Sequence, residues 1–331
     1  MKTQILAYKD KDAIIKAAHF IQQGELVGFG TETVYGLGAN AYHHQAVAKI
    51  YEVKGRPQFN PLIVHIDSMK RMEDFIEIRD DKMFNLMQAC WPGPLTFILP
   101  LKKDHPISSL VTAGLSTIGV RMPALPEARA FIAAANCPIA APSANISGKL
   151  SPTMAHHVAH DLDGKIPLIL DGGAAKTGLE STIIDISHID HPQLLRLGTQ
   201  DLQPIEAILG KKLALPTNNI TGKVTSPGQL LNHYAPRNPI RINALAPLPG
   251  EAWLTIGSDD PYFEHPNSLN LSKAGNMLEA AANLFKHLHE LDHMKGIKAI
   301  AVTHIKAKGL DATQSIIAKA INERLARAAN K

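Results

Sequence analysis

Two cations stand two residues apart at Lys54-Gly55-Arg56-Pro57, just ahead of Asn60-Pro61-Leu62-Ile63-Val64-His65. Pro57 and Pro61 exclude a helix running through this segment. Both cations therefore fall at a helix end or in an irregular connection, where side chains converge on ligands. Lys is a point charge and Arg a planar fork, a combination that suits a polyphosphate. A solvated basic turn explains the same four residues, so the rest of the chain has to decide. Two further arginines, Arg121 and Arg196, lie in the apolar runs Ile118-Gly119-Val120-Arg121 and Leu194-Leu195-Arg196-Leu197. A guanidinium there needs a carboxylate or an anionic ligand, and Glu180 or Asp185 could be the carboxylate. Hydroxyls and an amide gather at strand ends: Thr31 and Thr33, Ser143 and Asn145, Ser181 and Thr182. Ligands collect at strand ends in open α/β sheets. Four cations among these groups favour a sugar phosphate or a nucleotide.

The elements that position these residues can be read from periodicity. Residues 12–22, 79–90, 126–135 and 152–160 have helical spacing, and a helix with Ala46, Val47, Ile50 and Tyr51 on one face delivers Lys54. Strands are expected at 26–29, 62–66, 96–100, 117–122, 137–141, 168–171, 182–186 and 194–197, with a glycine-rich polar loop over 30–38. The mixed order implies an α/β or α+β domain over residues 1–210. Residues 211–250 carry six prolines and little periodicity, and read as a linker around the motif 226–236, which contains His233 and Tyr234. A long connection with a His-Tyr pair points to function. Residues 251–331 alternate strand and helix, with a long amphipathic helix over 277–291 and a terminal one over 315–329. This pattern predicts a smaller Rossmann-like domain, and the lack of GxGxxG argues against a dinucleotide site in it.

Composition sets the outer limits. The chain has 331 residues, 45% apolar and 19% charged, enough for a sizeable core and against general disorder. A net charge of +4 and a pI near 8.9 suit anionic small molecules or RNA without requiring either. Two distant cysteines, Cys90 and Cys137, make neither a disulfide framework nor a CxxC site. No apolar run reaches membrane-spanning length, so a cytoplasmic soluble protein is the expectation. Walker A, GxSxG and HExxH motifs are absent. Ser143 serves as a turn cap or as a ligand contact, and no Ser/His/Asp order supports it as a nucleophile. His156 and His160, four apart on one helix, lack a further ligand at metal spacing and read as a solvated face, as do His287, His289 and His293.

The ordered set of motifs resembles the YrdC-type threonylcarbamoyl-AMP synthase family in its long, two-domain form. It comprises Gly30-Thr31-Glu32-Thr33-Val34-Tyr35-Gly36-Leu37, Lys54-Gly55-Arg56-Pro57, Asn60 to His65, Trp91 to Thr96, Val120 to Pro123, Pro142 to Gly148, Glu180-Ser181-Thr182 and Leu195 to Gly198. The resemblance implies a twisted, open mixed α/β sheet with a second, smaller α/β domain. It implies that L-threonine, bicarbonate or CO2, and ATP give threonylcarbamoyl-AMP and pyrophosphate, with Mg2+ held through the ATP phosphates. The product would pass to the machinery that threonylcarbamoylates tRNA. Carried over by position, Lys54 and Arg56 would be catalytic and, with Asn60, Thr117, Ser143, Asn145, Ser151, Arg196 and Tyr234, would bind ATP. Thr33, His65, Arg121, the Ala141 backbone and Ser181 would hold threonine. The family often has a basic-Tyr pair where this chain has Leu230 and Leu231, so a phosphate-contacting cation is missing from the motif. Two other functions fit parts of the pattern: an RNA-binding module without turnover, and a carbamoyltransferase using carbamoyl phosphate.

Overall fold

The computed structural model describes residues 2–216, 234–306 and 309–330. Of the expected motif over 226–236, residues 226–233, with Leu230, Leu231 and His233, lie outside the described residues. In chain order the first part contains β1 (Gln4–Ala7), α1 (Ala13–Gln22), β2 (Val27–Phe29), β3 (Gly36–Asn40), α2 (His44–Lys54), β4 (Ile63–His65), α3 (Asp81–Cys90) and β5 (Leu95–Pro100). It continues with α4 (Ser109–Thr112), β6 (Thr117–Arg121), α5 (Pro126–Ala135), β7 (Ile139–Ala140), α6 (Ala155–Leu162), β8 (Leu168–Asp171), β9 (Thr182–Asp185), β10 (Gln193–Arg196) and α7 (Gln203–Leu209). Its strands form one mixed ten-stranded sheet, ordered β1-β8-β2-β3-β7-β4-β6-β5-β9-β10.

Alternation along the central strands sorts side chains between the two faces. Val64, Phe97, Val120 and Ile184 enter the main core under the helices. On the opposite face Ile63, Ile98 and Ile183 make a small cluster of their own, with Leu195 packed against it. Strand register then aligns the polar residues of that face. His65 pairs with Arg121 across β4 and β6, and Arg121 pairs with Thr96 across β6 and β5. The next row is Ile63, Gly119 and Ile98.

The second part contains β11 (Ile240–Ala244), β12 (Glu251–Thr255), β13 (Ser268–Asn270), α8 (Met277–His293), β14 (Ala299–Thr303) and α9 (Ala312–Ala329). The sheet is parallel throughout, ordered β11-β14-β12-β13, as an alternation of strand and helix predicts. Two of the stretches that depart from the sequence reading show why. β3 lies in what read as a glycine-rich loop. Its Gly38 sits where a Cβ would stand 2.8 Å from Ile139, so close strand packing, not turn formation, explains that glycine. β11 lies inside the stretch read as linker, and its Ile240-Arg241-Ile242 alternation is too short to stand out among prolines.

The two parts meet at a backbone approach. Gly178 has φ +66°, and a Cβ there would lie 2.3 Å from the Ala281 carbonyl oxygen of α8. No rotamer relieves a clash with backbone. Gly178→Ala is expected to lower stability by about 3 kcal/mol, overpacking added to an unfavourable φ. An unchanged urea midpoint would rule out this tight junction.

A candidate active site of three arginines

Helix α2 ends at Lys54 because Gly55 adopts φ 60°, with its N–H bonding Glu52 O and that of Arg56 bonding Tyr51 O. This Schellman-type stop turns the chain back and sends Arg56 toward the sheet face while Lys54 stays under it. A cleft opens above the row of His65 and Arg121. It is lined by Thr31, Thr33, Arg56, Ile63, His65, Arg121, Ala141, Ser143, Glu180, Ser181, Arg196 and Tyr234, among others. Its atom-free space is about 600 Å3, part of it open to solvent, within the range of small-molecule sites. Three guanidinium groups thus face one cleft, and Glu180 is the carboxylate residue among its described lining.

Each arginine is fixed by the protein. Arg121, 4% exposed, donates to Thr33 Oγ1 at 2.7 Å and to Glu32 Oε1 at 2.5 Å, and Nε reaches Gly93 O at 3.4 Å. Burial pushes the Glu32 carboxyl up, but the adjacent Arg121 and further hydrogen bonds hold it below its ordinary value. The carboxylate partner of Arg121 is therefore Glu32, not Glu180 or Asp185. Three of the five guanidinium N–H groups are used this way, which leaves two for a ligand. Arg56 donates to Asn60 O at 3.2 Å and Pro61 O at 2.8 Å, and burial brings its pKa down to about 10. Arg196 donates to Ser181 O at 3.0 Å and to Ser181 Oγ at 3.1 Å, and Ser181 Oγ also meets Thr96 Oγ1 at 2.7 Å.

Lys54 is 1% exposed and lies behind the cleft wall. Its Nζ donates to Ser143 O at 2.6 Å and to Asn145 O. Burial, with Arg56 nearby, drives its pKa well below the ordinary lysine value. Ser143 Oγ donates to Asn145 Oδ1 at 2.6 Å, and the Asn145 amide donates to Ile146 O and Lys149 O. The Ser143–Asn145 loop is thus braced by the buried ammonium from below. With no base on its hydroxyl, Ser143 matches a ligand contact better than a nucleophile.

The other expected residues divide. Thr33, His65, Ala141 and Tyr234 line the cleft with the three arginines, Ser143 and Ser181. The Ala141 N–H is already given to Ile63 O. Asn60, Asn145 and Ser151 are buried just outside, and Ser151 Oγ donates to Glu180 Oε1 at 2.5 Å. Thr117 is not brought to the cleft. It starts β6 opposite Pro100, about 13 Å along the strand from Arg121, and lines a separate surface hollow with Glu77, Lys102 and Ser187. Glu32, through its bond to Arg121, is a contributor that sequence reading missed. Glu32 carried a signal, as an acid between two threonines in a strand-end loop.

Histidine protonation is held off by burial. His65 lies edge-on to Phe29, and burial together with Arg121 lowers its pKa to about 3. His157 and His289 stack at 3.9 Å between α6 and α8, so His289 is not on a solvated face. Burial lowers their pKa values to about 2 and about 4. A histidine kept neutral in the fold costs nothing above its unfolded pKa near 6.5. Below that pH the unfolded chain takes up the proton and the fold does not. Stability is therefore expected to be flat above pH 6.5 and to fall toward pH 4, by at most about 1.4 kcal/mol per pH unit for each group. Urea midpoints that agree at pH 7 and pH 5 would contradict this.

Comparison with known proteins fixes the family. The Sua5–YciO–YrdC family model, described as telomere recombination, matches residues 19–198, more than half of the chain. The chain belongs to this family. A second model, the threonylcarbamoyl-AMP synthase C-terminal domain, matches residues 201–330, so the long form of the Sua5–YciO–YrdC family is present. The threonylcarbamoyl-AMP synthase of Pyrococcus abyssi is 41% identical over 313 residues, 89% of either chain. That of Bacillus subtilis is 50% identical over 230 residues, 69% of this chain and 66% of that one. The crystal structure of P. abyssi Sua5 complexed with L-threonine superposes with a TM-score of 0.86 at 37% identity, covering 99% of this chain and 98% of that one. YciO of E. coli, at 23% identity and a TM-score of 0.54 over 61% of this chain and 98% of its own, shares the fold. Among the described residues no helix is long and apolar enough to cross a membrane.

Proposed function

We propose that the chain is a threonylcarbamoyl-AMP synthase, joining L-threonine, bicarbonate or CO2, and ATP into threonylcarbamoyl-AMP with release of pyrophosphate. The observation that carries this is the convergence of Arg56, Arg121 and Arg196 on one cleft beside hydroxyls and a neutral imidazole. The relatives named for this activity and the threonine-bound crystal structure of P. abyssi Sua5 support it. Threonine would sit over the row of His65 and Arg121, its carboxylate on the remaining N–H groups of Arg121 and its polar groups near Thr33, Ser181 and the Ala141 backbone. ATP would enter as its magnesium complex, its phosphates toward Arg56, Arg196 and the Ser143–Asn145 loop, with Tyr234 covering them. Magnesium would come as part of that substrate, held through the ATP phosphates.

In this reading the threonine amine adds to CO2 and releases a proton, giving an N-carboxylate. A carboxylate oxygen then attacks the α-phosphorus, and the bond to the bridging oxygen breaks as pyrophosphate leaves. No enzyme nucleophile takes part. The rate gain comes from alignment of two bound substrates and from fixed cations facing developing negative charge. The product would serve a transferase that modifies tRNA. The test is threonine-dependent pyrophosphate release with ATP and bicarbonate, and identification of the adenylate by mass. Pyrophosphate release independent of threonine would refute the reading.

A further inference from the structure

Strand β2 ends at Phe29, and the loop behind it sets two threonine hydroxyls side by side, with Thr31 Oγ1 and Thr33 Oγ1 2.9 Å apart. Both residues line the cleft and both are buried, with little access for water. A hydroxyl has one hydrogen and two lone pairs, which fixes the direction of every bond here. Thr31 Oγ1 lies 2.7 Å from the Val34 carbonyl oxygen, which can only accept, so the Thr31 hydrogen is spent there. Its lone pairs then take the Thr33 N–H, at 3.2 Å, and the Thr33 hydroxyl hydrogen. Thr33 Oγ1 in turn accepts from Arg121 Nη1 at 2.7 Å, since a guanidinium can only donate. Thr33 is left with one lone pair and no hydrogen. Toward a ligand it is an acceptor only.

We propose that Thr31 is a positioning residue for the amino-acid substrate: it holds the Thr33 hydroxyl hydrogen inward, and the lone pair left on Thr33 Oγ1 accepts an N–H of the substrate amine. A carboxylate oxygen there would meet lone pair with lone pair, so the substrate carboxylate is kept on the two remaining N–H groups of Arg121. The amine sits on the same carbon as that carboxylate, hence beside Thr33, whereas the substrate hydroxyl lies one carbon further away. One N–H survives when the amine nitrogen bonds to CO2 and releases its proton, so the contact can hold the nitrogen in place through that step. The assignment rests on the synthase reading above, and it concerns threonine and not ATP. The second part reaches the cleft wall at Glu180, whose Oε2 accepts from Arg324 Nε of α9 at 3.4 Å. Thr31, Thr33 and Arg121 make no described bond to Glu180, Arg196 or Arg324.

The test titrates L-threonine and L-2-aminobutyrate, which lacks only the hydroxyl, calorimetrically into wild type, Thr31→Val and Thr31→Ser. KM values for threonine and MgATP from pyrophosphate release, and melting curves, accompany the titrations. Thr31→Val is expected to weaken both ligands at least tenfold, with the ratio of their affinities within threefold of wild type, and to leave KM for ATP within threefold. Thr31→Ser, which keeps the hydroxyl, is expected to stay within threefold throughout. A loss below tenfold in Thr31→Val overturns the proposal. A loss confined to threonine, which would bring the two ligands together, places Thr33 on the substrate hydroxyl and overturns the amine contact. KM values for threonine and ATP that rise together, or a Thr31→Ser as weak as Thr31→Val, show a purely structural role and overturn it too. If Thr31→Val does not fold, Thr31→Cys decides by the same limits, since its thiol is a weak donor and a weak acceptor. Wild type that binds threonine without threonine-dependent turnover would sink the synthase reading and leave the Thr31 role to the titrations. Wild type that turns over beside an unaffected Thr31→Val would sink only the role of Thr31.

Discussion

Lys54→Ala is expected to reduce threonine-dependent pyrophosphate release at least 100-fold in a protein that still folds. The substitution removes a buried ammonium from two backbone carbonyls, those of Ser143 and Asn145. Each carbonyl left without a donor costs about 1–3 kcal/mol unless water replaces the ammonium. The site adjoins an open cleft, so water has a route in. The loss stays inside a typical stability of about 5–15 kcal/mol. Activity has no such reserve. The Ser143–Asn145 loop would lose its brace and the phosphate region one positive charge, and losing a single stabilising group at a reaction centre typically costs about 10²–10³ in rate. Lys54→Met, which fills the volume without the charge, should be equally slow and melt closer to wild type. Folded Lys54→Ala protein turning over within tenfold of wild type would remove Lys54 from the machinery.

Arg121→Lys is expected to weaken threonine binding at least 100-fold and to lower stability as well. The planar fork of Arg121 serves Thr33 and Glu32 at once while two N–H groups remain for a ligand. A lysine has three donors from one point and cannot span the same partners. The buried Glu32 carboxylate would then lose part of its compensation, and breaking such a pair costs about 3–5 kcal/mol when the cation is removed outright. Glu32→Gln separates the two effects: combined with Arg121→Lys it should recover stability but not threonine affinity. Calorimetric titration with threonine, beside urea unfolding, reads both. Threonine affinity within threefold of wild type in Arg121→Lys would place the amino acid elsewhere.

Much of this site could be read from residue order because strand periodicity and strand ends are local properties. Lys54 at a helix end, Arg121 and Arg196 in apolar strands, and Ser143 after a buried strand each followed from a few neighbours. What stayed hidden depends on distance. Glu32 and Arg121 are 89 residues apart and Glu180 and Arg324 are 144 apart. Spacing says that a buried arginine needs a partner, and only the register of the sheet says which. Lys54 shows the same limit: its position was legible, but its ammonium faces loop carbonyls rather than the cleft. In the fold, β3 was obscured because a glycine that admits Ile139, Gly38, resembles a glycine of a turn. Thr117 shares a strand and a face with Arg121, yet the cleft ends before reaching it.

The Glu180–Arg324 contact also bears on the order in which the protein is made. The arginines that line the cleft end at Arg196, and Arg324 follows 128 positions later. At about 5–20 residues per second a ribosome needs on the order of ten seconds to reach it. During that interval the nascent chain can fold its first sheet while the Glu180 carboxylate still lacks its contact from α9. The ion pair that ties the two parts then forms only with the last helix, and a chain cleaved by a protease within α9 would keep the lining of its cleft and lose that tie.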